Sequence, residues 1–136
     1  MIIDRRISDA IQELLYGIGE DPNRDGLRDT PQRVARMYAE LFSGLDQDPK
    51  SVLATTFDES HDEMIVLRDV PFYSMCEHHL LPFFGSADIG YIPGERIVGV
   101  SKLARALVIL SRRPQVQERL TCELADALED VLKPIG

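Results

Sequence analysis

Two stretches of this chain, MIVLRDVPFYS at 64–74 and FFGSADIGYIP at 83–93, read as β-strands, and two strands are too few to stand alone. Both are rich in β-branched and aromatic residues, and Ala87, Ile89 and Tyr91 alternate with small or polar neighbours, as half-buried strands do. A pair of this size leaves open edges and one apolar face, so something else must cover them.

Helical periodicity supplies part of that cover. After Asp4, read as an N-cap, Ile7, Ala10, Ile11, Leu14 and Leu15 recur at the spacing of an amphipathic helix. GIGEDPNRDGLRD is turn chemistry, and Thr30 as N-cap with Pro31 behind it opens a second helix with Val34, Met37, Tyr38, Leu41 and Phe42 on its stripe, stopping at Gly44. The two are expected to form an N-terminal hairpin of helices within a segment 1–60. The stretch that follows reads as loop with one short helical turn. Beyond the strands, Ser101 is read as the cap of a helix carrying Leu103, Leu107 and Leu110. Pro114 is read as the start of a last helix with Val116, Leu120, Leu124, Ala127, Leu128, Val131 and Leu132 on one face. That helix stops at KPIG, a signal that leads into a further element, so more strands are expected beyond Gly136.

At 136 residues the chain has the size of one domain, and its composition is that of a globular protein. The opening is charged from Asp4 onward and offers neither a signal-peptide core nor a membrane span, so no membrane partner and a cytoplasmic location are expected. A net charge of −8 argues against a protein that coats nucleic acid. The charge is uneven, however. Within 96–119, Arg96, Lys102, Arg105, Arg112, Arg113 and Arg119 face the one acid Glu118, a cluster suited to a small anion.

Chemistry concentrates in MCEHHLLPFFG, 75–85, which sets one of the two cysteines beside two of the three histidines. Thiolate and imidazole are zinc's preferred ligands, and Cys76-x-x-His79 lets one tight turn aim both at one ion. His78, beside a ligand, is suited to proton transfer. Two other readings stand: Cys76 as a nucleophile with a histidine base, and a buried thiol with two polar loop histidines. Glu77 either orients an imidazole or is solvated. His61 reads as a surface histidine, and Cys122 as a structural or incidental thiol in the last helix. Two obvious ligands fall short of the three that a catalytic zinc takes from protein.

In order and spacing, MCEHHLLPFFG, IGYIP, VSKLAR and SRRPQVQERLT together resemble GTP cyclohydrolase I, over most of the chain from DPNRDGLRDTPQRVARMYAELFSGL onward. The resemblance implies an α+β tunnelling fold: a four-stranded antiparallel sheet with two helices on one face, preceded by helices and assembled into a toroidal homodecamer. Residues 61–136 would be the partial catalytic domain. It also implies an enzyme that opens the imidazole ring of GTP, releases C8 as formate, rearranges the ribose and closes a new ring, giving 7,8-dihydroneopterin triphosphate for folate or pterin synthesis. Cys76 and His79 match two zinc ligands and His78 the proton-transfer histidine. Glu118 matches the carboxylate that holds the guanine edge, with Gln117 assisting. Ser101, Lys102 and Arg105 match the segment that meets ribose and triphosphate, and Arg33 matches a residue reaching a neighbouring subunit's triphosphate.

The family's third zinc ligand, a cysteine, lies in its last two strands together with a second active-site histidine and a phosphate-binding arginine. The sequence to Gly136 lacks those strands. A chain that stops there is expected to bind zinc weakly and turn over little, and a longer one to be active. The rival functions are a truncated non-catalytic subunit that binds nucleotide or assembles with full-length partners, and a small helical nucleic-acid module that the net charge disfavours.

Overall fold

The computed structural model describes residues 4–57 and 61–136. The chain forms two compact units, Met1–Phe42 and Ser43–Gly136. The expected boundary at 60/61 adjoins residues 58–60, which lie outside those described. Among the described residues no helix is long and apolar enough to cross a membrane.

The first unit is a pair of packed helices, α1 (Asp4–Gly17) and α2 (Thr30–Leu41). Asp4 is already inside α1, and its side chain is outside the described residues. Gly19 ends that helix at φ 88°: its N–H donates to the Tyr16 carbonyl, and the Glu20 N–H donates to the Leu15 carbonyl at 2.9 Å. This is the left-handed closure that glycine makes inexpensively. The N-cap of α2 is Asp29 and not Thr30, and Asp29 makes no capping bond with its side chain. The apolar stripes are wider than the faces they bury. Leu15, Pro31 and Ala35 are buried, whereas Ala10, Leu14 and Met37 are exposed.

The second unit is α+β. A short helix α3 (Pro49–Leu53), capped by Asp48 through the Lys50 N–H, precedes strand β1 (Thr56–Phe57). Strands β2 (Ile65–Cys76) and β3 (Pro82–Tyr91) form the expected antiparallel hairpin. Their register sets Ile65 against Tyr91, Leu67 against Ile89, Val70 against Ala87 and Phe72 against Gly85. Apart from Gly85, which has no side chain, the members of these pairs join the core or pack on it. Core positions 65 and 67 would be followed by 69 in an unbroken strand, but the register shifts between Leu67 and Val70. The irregularity is taken up at Asp69, whose φ is 55° and whose N–H donates to Asp88 Oδ1 at 2.8 Å. Without this bulge, strand alternation would turn Val70 and Phe72 to the opposite face.

Beyond the hairpin, β4 (Ile97–Val98) pairs antiparallel with β1, and helix α4 (Val100–Ser111) follows. Its N-cap is Gly99, so Ser101 sits exposed inside the first turn and is not the cap the sequence suggested. Pro114 does not open a helix either. It forms strand β5 (Pro114–Gln115), parallel to the end of β2, so the sheet order is β3-β2-β5. Proline is tolerated on such an edge because its missing N–H costs no inner ladder bond. Helix α5 (Gln117–Leu132) begins after Val116. Leu103, Leu107 and Leu110 of α4 and Leu120, Leu124, Leu128 and Leu132 of α5 close over Val70, Ile89 and Tyr91. Each such leucine stabilises the fold by about 1.5–3 kcal/mol relative to exposure.

Gly44 is a packing device and not the helix stop that its position suggested. The α2 helix ends at Leu41, and a Cβ on Gly44 would lie 1.9 Å from the backbone carbonyl oxygen of Ile109. Its N–H donates to the Arg112 carbonyl at 3.0 Å, and its own carbonyl accepts from Arg113 Nε at 3.0 Å. Gly44→Ala is therefore expected to destabilise the protein by about 3 kcal/mol, the upper end of overpacking costs, because backbone cannot step aside as a side chain can. A denaturation midpoint indistinguishable from the parent's would refute this close approach.

Candidate functional site

The Cys/His stretch is the connection between β2 and β3. Cys76 ends β2, and two backbone bonds close the turn: the Cys76 N–H to the Leu81 carbonyl and the Leu80 N–H to the Cys76 carbonyl, each 2.8 Å. Leu80 takes φ 53°, a conformation that costs a non-glycine residue about 1–3 kcal/mol and clusters at functional sites. Cys76 is half-buried, while His78 and His79 are exposed. Cys76 Sγ lies 3.8 Å from His78 Nδ1, and the two imidazole rings stand edge to face with centroids 6.3 Å apart.

The β2–β5 pairing sets this turn against the start of α5. Cys76 is opposite Gln115, and the Glu77 N–H donates to the Gln115 carbonyl at 3.0 Å. The Gln115 side chain is buried and anchors the segment, with Nε2 donating to the Leu110 carbonyl at 3.2 Å and to Glu123 Oε2 at 2.8 Å. Gln117 and Glu118 follow in the first turn of α5, both exposed, and Glu118 has no hydrogen-bond or ion-pair partner among the described residues. Gln117 also lines an open groove of about 400 Å³ between β3 and α5.

Arg119 closes the arrangement. Its guanidinium grips the Glu77 carboxylate with both arms, Nη1 to Oε2 and Nη2 to Oε1, the latter at 2.9 Å. These hydrogen bonds and the positive charge behind them hold the Glu77 carboxyl below its ordinary range. Sequence reasoning missed this pair, counting Arg119 in a basic cluster suited to a small anion and leaving Glu77 either beside an imidazole or solvated. The two residues are 42 positions apart, and no periodicity links a turn to a helix start.

The basic run of 96–119 divides by role. Arg113 is spent on structure, donating to the carbonyls of Gly44 and Gln47 at 3.0 and 2.7 Å. Lys102 and Arg105 on α4 have no carboxylate partner among the described residues, and none of Ser101, Lys102 and Arg105 is bonded to the Cys/His turn. Arg33 belongs to the N-terminal unit, where its Nη2 meets Asp29 Oδ2 at 3.3 Å. Cys122 is exposed and not the small buried group that a structural cysteine would be, and His61 is exposed as expected.

A soft thiolate and an imidazole on one turn suit zinc in kind. In number they fall short: among the described residues no three His, Cys, Asp or Glu side chains gather as a metal-holding group.

The sequence model of the GTP cyclohydrolase I family matches residues 7–136. The chain is 56% identical over 132 residues to GTP cyclohydrolase 1 of Streptococcus agalactiae serotype V, an alignment covering 96% of this chain and 71% of the relative. It is 57% identical over 132 residues to GTP cyclohydrolase 1 of Halalkalibacterium halodurans, covering 96% and 70%. To that of Geobacillus kaustophilus it is 55% identical over 132 residues, with the same coverage of 96% and 70%.

Proposed function

The chain belongs to the GTP cyclohydrolase I family, and from that premise we propose that it is a zinc-dependent enzyme converting GTP to 7,8-dihydroneopterin triphosphate and formate. The observation that carries the reading is the parallel pairing of Cys76 with Gln115, which sets the Cys/His turn against the segment that leads into the first turn of α5, where Glu118 lies.

Cys76 and His79 would hold the zinc, with the remaining ligand outside the described residues. When bound, zinc supplies Lewis acidity and lowers the pKa of a water. The Glu118 carboxylate accepts hydrogen bonds from the N1–H and 2-amino group of guanine, a donor pair that a two-oxygen acceptor matches. Gln117 adds amide donors and an acceptor on the same edge. His78 is exposed beside Cys76 and carries the proton to and from the opening imidazole nitrogen. Lys102 and Arg105, without carboxylate partners among the described residues, anchor the triphosphate, and Ser101 adds a hydroxyl. Arg33 serves the triphosphate of a neighbouring copy. A reducing cytoplasm keeps Cys76 as a thiol.

Homo-oligomeric assembly belongs to the same proposal, a decamer by family resemblance. Its support is an exposed apolar face on the hairpin, where Val66, Tyr73 and Phe84 are uncovered and the Tyr73 and Phe84 rings lie 6.0 Å apart.

Incubation with GTP and zinc, followed by oxidation, is expected to yield a fluorescent pterin with one formate per GTP consumed. A second reading, a non-catalytic subunit that binds nucleotide or assembles with longer partners, is favoured by the shortage of metal donors. Saturable GTP binding with no formate released would establish that reading and end the first.

A further inference from the structure

We infer that Glu77 and Arg119 are paired positioning residues, which fix the Cys76–His79 turn in register with Gln117 and Glu118; the inference rests on the GTP-opening reading. Three bonds reach Glu77 from the β5–α5 segment: its N–H to the Gln115 carbonyl at 3.0 Å, and the two arms of Arg119. The anchor points at 115 and 119 bracket Gln117 and Glu118. Along the chain, the residues that would bind the base therefore lie between the two ties that hold the metal-binding turn.

The chemistry of the pair favours orientation over stability. The Arg119 side chain keeps 43% and that of Glu77 30% of its surface exposed, and ion pairs in such settings add little to folding. A forked guanidinium–carboxylate contact nevertheless fixes a plane and a distance, which a lysine cannot do. Without it, the hydrogen bonds left to residues 77–80 among the described residues are the two backbone bonds at Glu77 and Leu80 and the long Cys76 Sγ contact to His78 Nδ1, around a Leu80 that is already strained. With both oxygens engaged by Arg119, Glu77 Oε1 also lies 3.7 Å from His78 Nε2, an ion-pair contact whenever that imidazole is protonated. Misplacing reacting groups by about 1 Å can cost roughly a hundredfold in rate.

The test compares Glu77→Ala, Arg119→Ala, the double variant, Arg119→Lys and the exchanged pair Glu77→Arg/Arg119→Glu. Each single alanine variant is expected to lower kcat about 10- to 100-fold, with the KM for GTP less affected. The double variant should be no slower than the slower single, because each removes the same contact. The exchanged pair should recover part of the loss, and Arg119→Lys should not. Hydrogen exchange at the Glu77 amide provides a readout independent of turnover: it should quicken in the alanine variants while the denaturation midpoint holds. Multiplying losses in the double variant, full activity in either single, or unchanged exchange at Glu77 would overturn the inference. If the parent releases no formate, the functional reading falls and the exchange comparison alone still decides whether the clamp exists.

Discussion

Replacing Cys76 by serine is expected to lower formate release by roughly three orders of magnitude, about 4 kcal/mol of transition-state stabilisation, and to remove most of the bound zinc. The substitution exchanges a soft thiolate for a hard hydroxyl of far higher pKa, while changing side-chain volume little at a half-buried strand end. The fold should survive: Cys76 pairs through its backbone with Gln115 and Leu81, and those bonds do not involve sulfur. Metal analysis separates the chemical readings of this cysteine. A variant that has lost turnover but keeps the parent's zinc would identify Cys76 as a nucleophile. One that keeps both would return it to an ordinary thiol. Loss of both, with an unchanged circular dichroism spectrum, is the outcome that ligation requires.

Glu118→Gln is expected to lower kcat/KM for GTP by about 100- to 1,000-fold, with zinc content and Glu77 amide exchange unchanged. Two charge-assisted hydrogen bonds are at stake, at about 1.5–3 kcal/mol each. An amide retains one acceptor and turns its NH2 toward a donor of the guanine edge, so one bond becomes a repulsion. Glu118 is suited to this role because nothing in the described protein occupies it. Specificity gives a second readout. Inosine triphosphate lacks the 2-amino group, so the parent should discriminate against it and the glutamine variant should lose most of that discrimination. Equal damage to both substrates would mean that Glu118 does not read the base, and the groove lined by Gln117 would then need another explanation.

Elements whose evidence repeats along the chain were legible in the sequence. The stripe of Leu120, Leu124 and Leu128 and the alternation of Ala87, Ile89 and Tyr91 each state a period, and a period is a local property. The Cys76-x-x-His79 spacing was legible for the same reason, as four residues on one turn. Element edges were less so. Ser101 looks like a cap and Pro114 like a helix start, yet Gly99 is the N-cap of α4, and Pro114 joins β2 because pairing with a distant strand outweighed local preference. Gly44 carries no sign in its neighbourhood of the Ile109 carbonyl that would meet a Cβ there.

By itself, then, the sequence determined the order of helices and strands, the donor chemistry of the turn and the family resemblance, all properties of residues near one another along the chain. Tertiary structure alone decided which of these come together. The bulge at Asp69 keeps β2 facing the core, and β5 brings the start of α5 to the Cys/His turn. Arg119 then finds Glu77 across 42 residues. Such contacts exist only once burying the leucines of α4 and α5 has offset the entropy of closing the chain between them, and no local pattern encodes that balance.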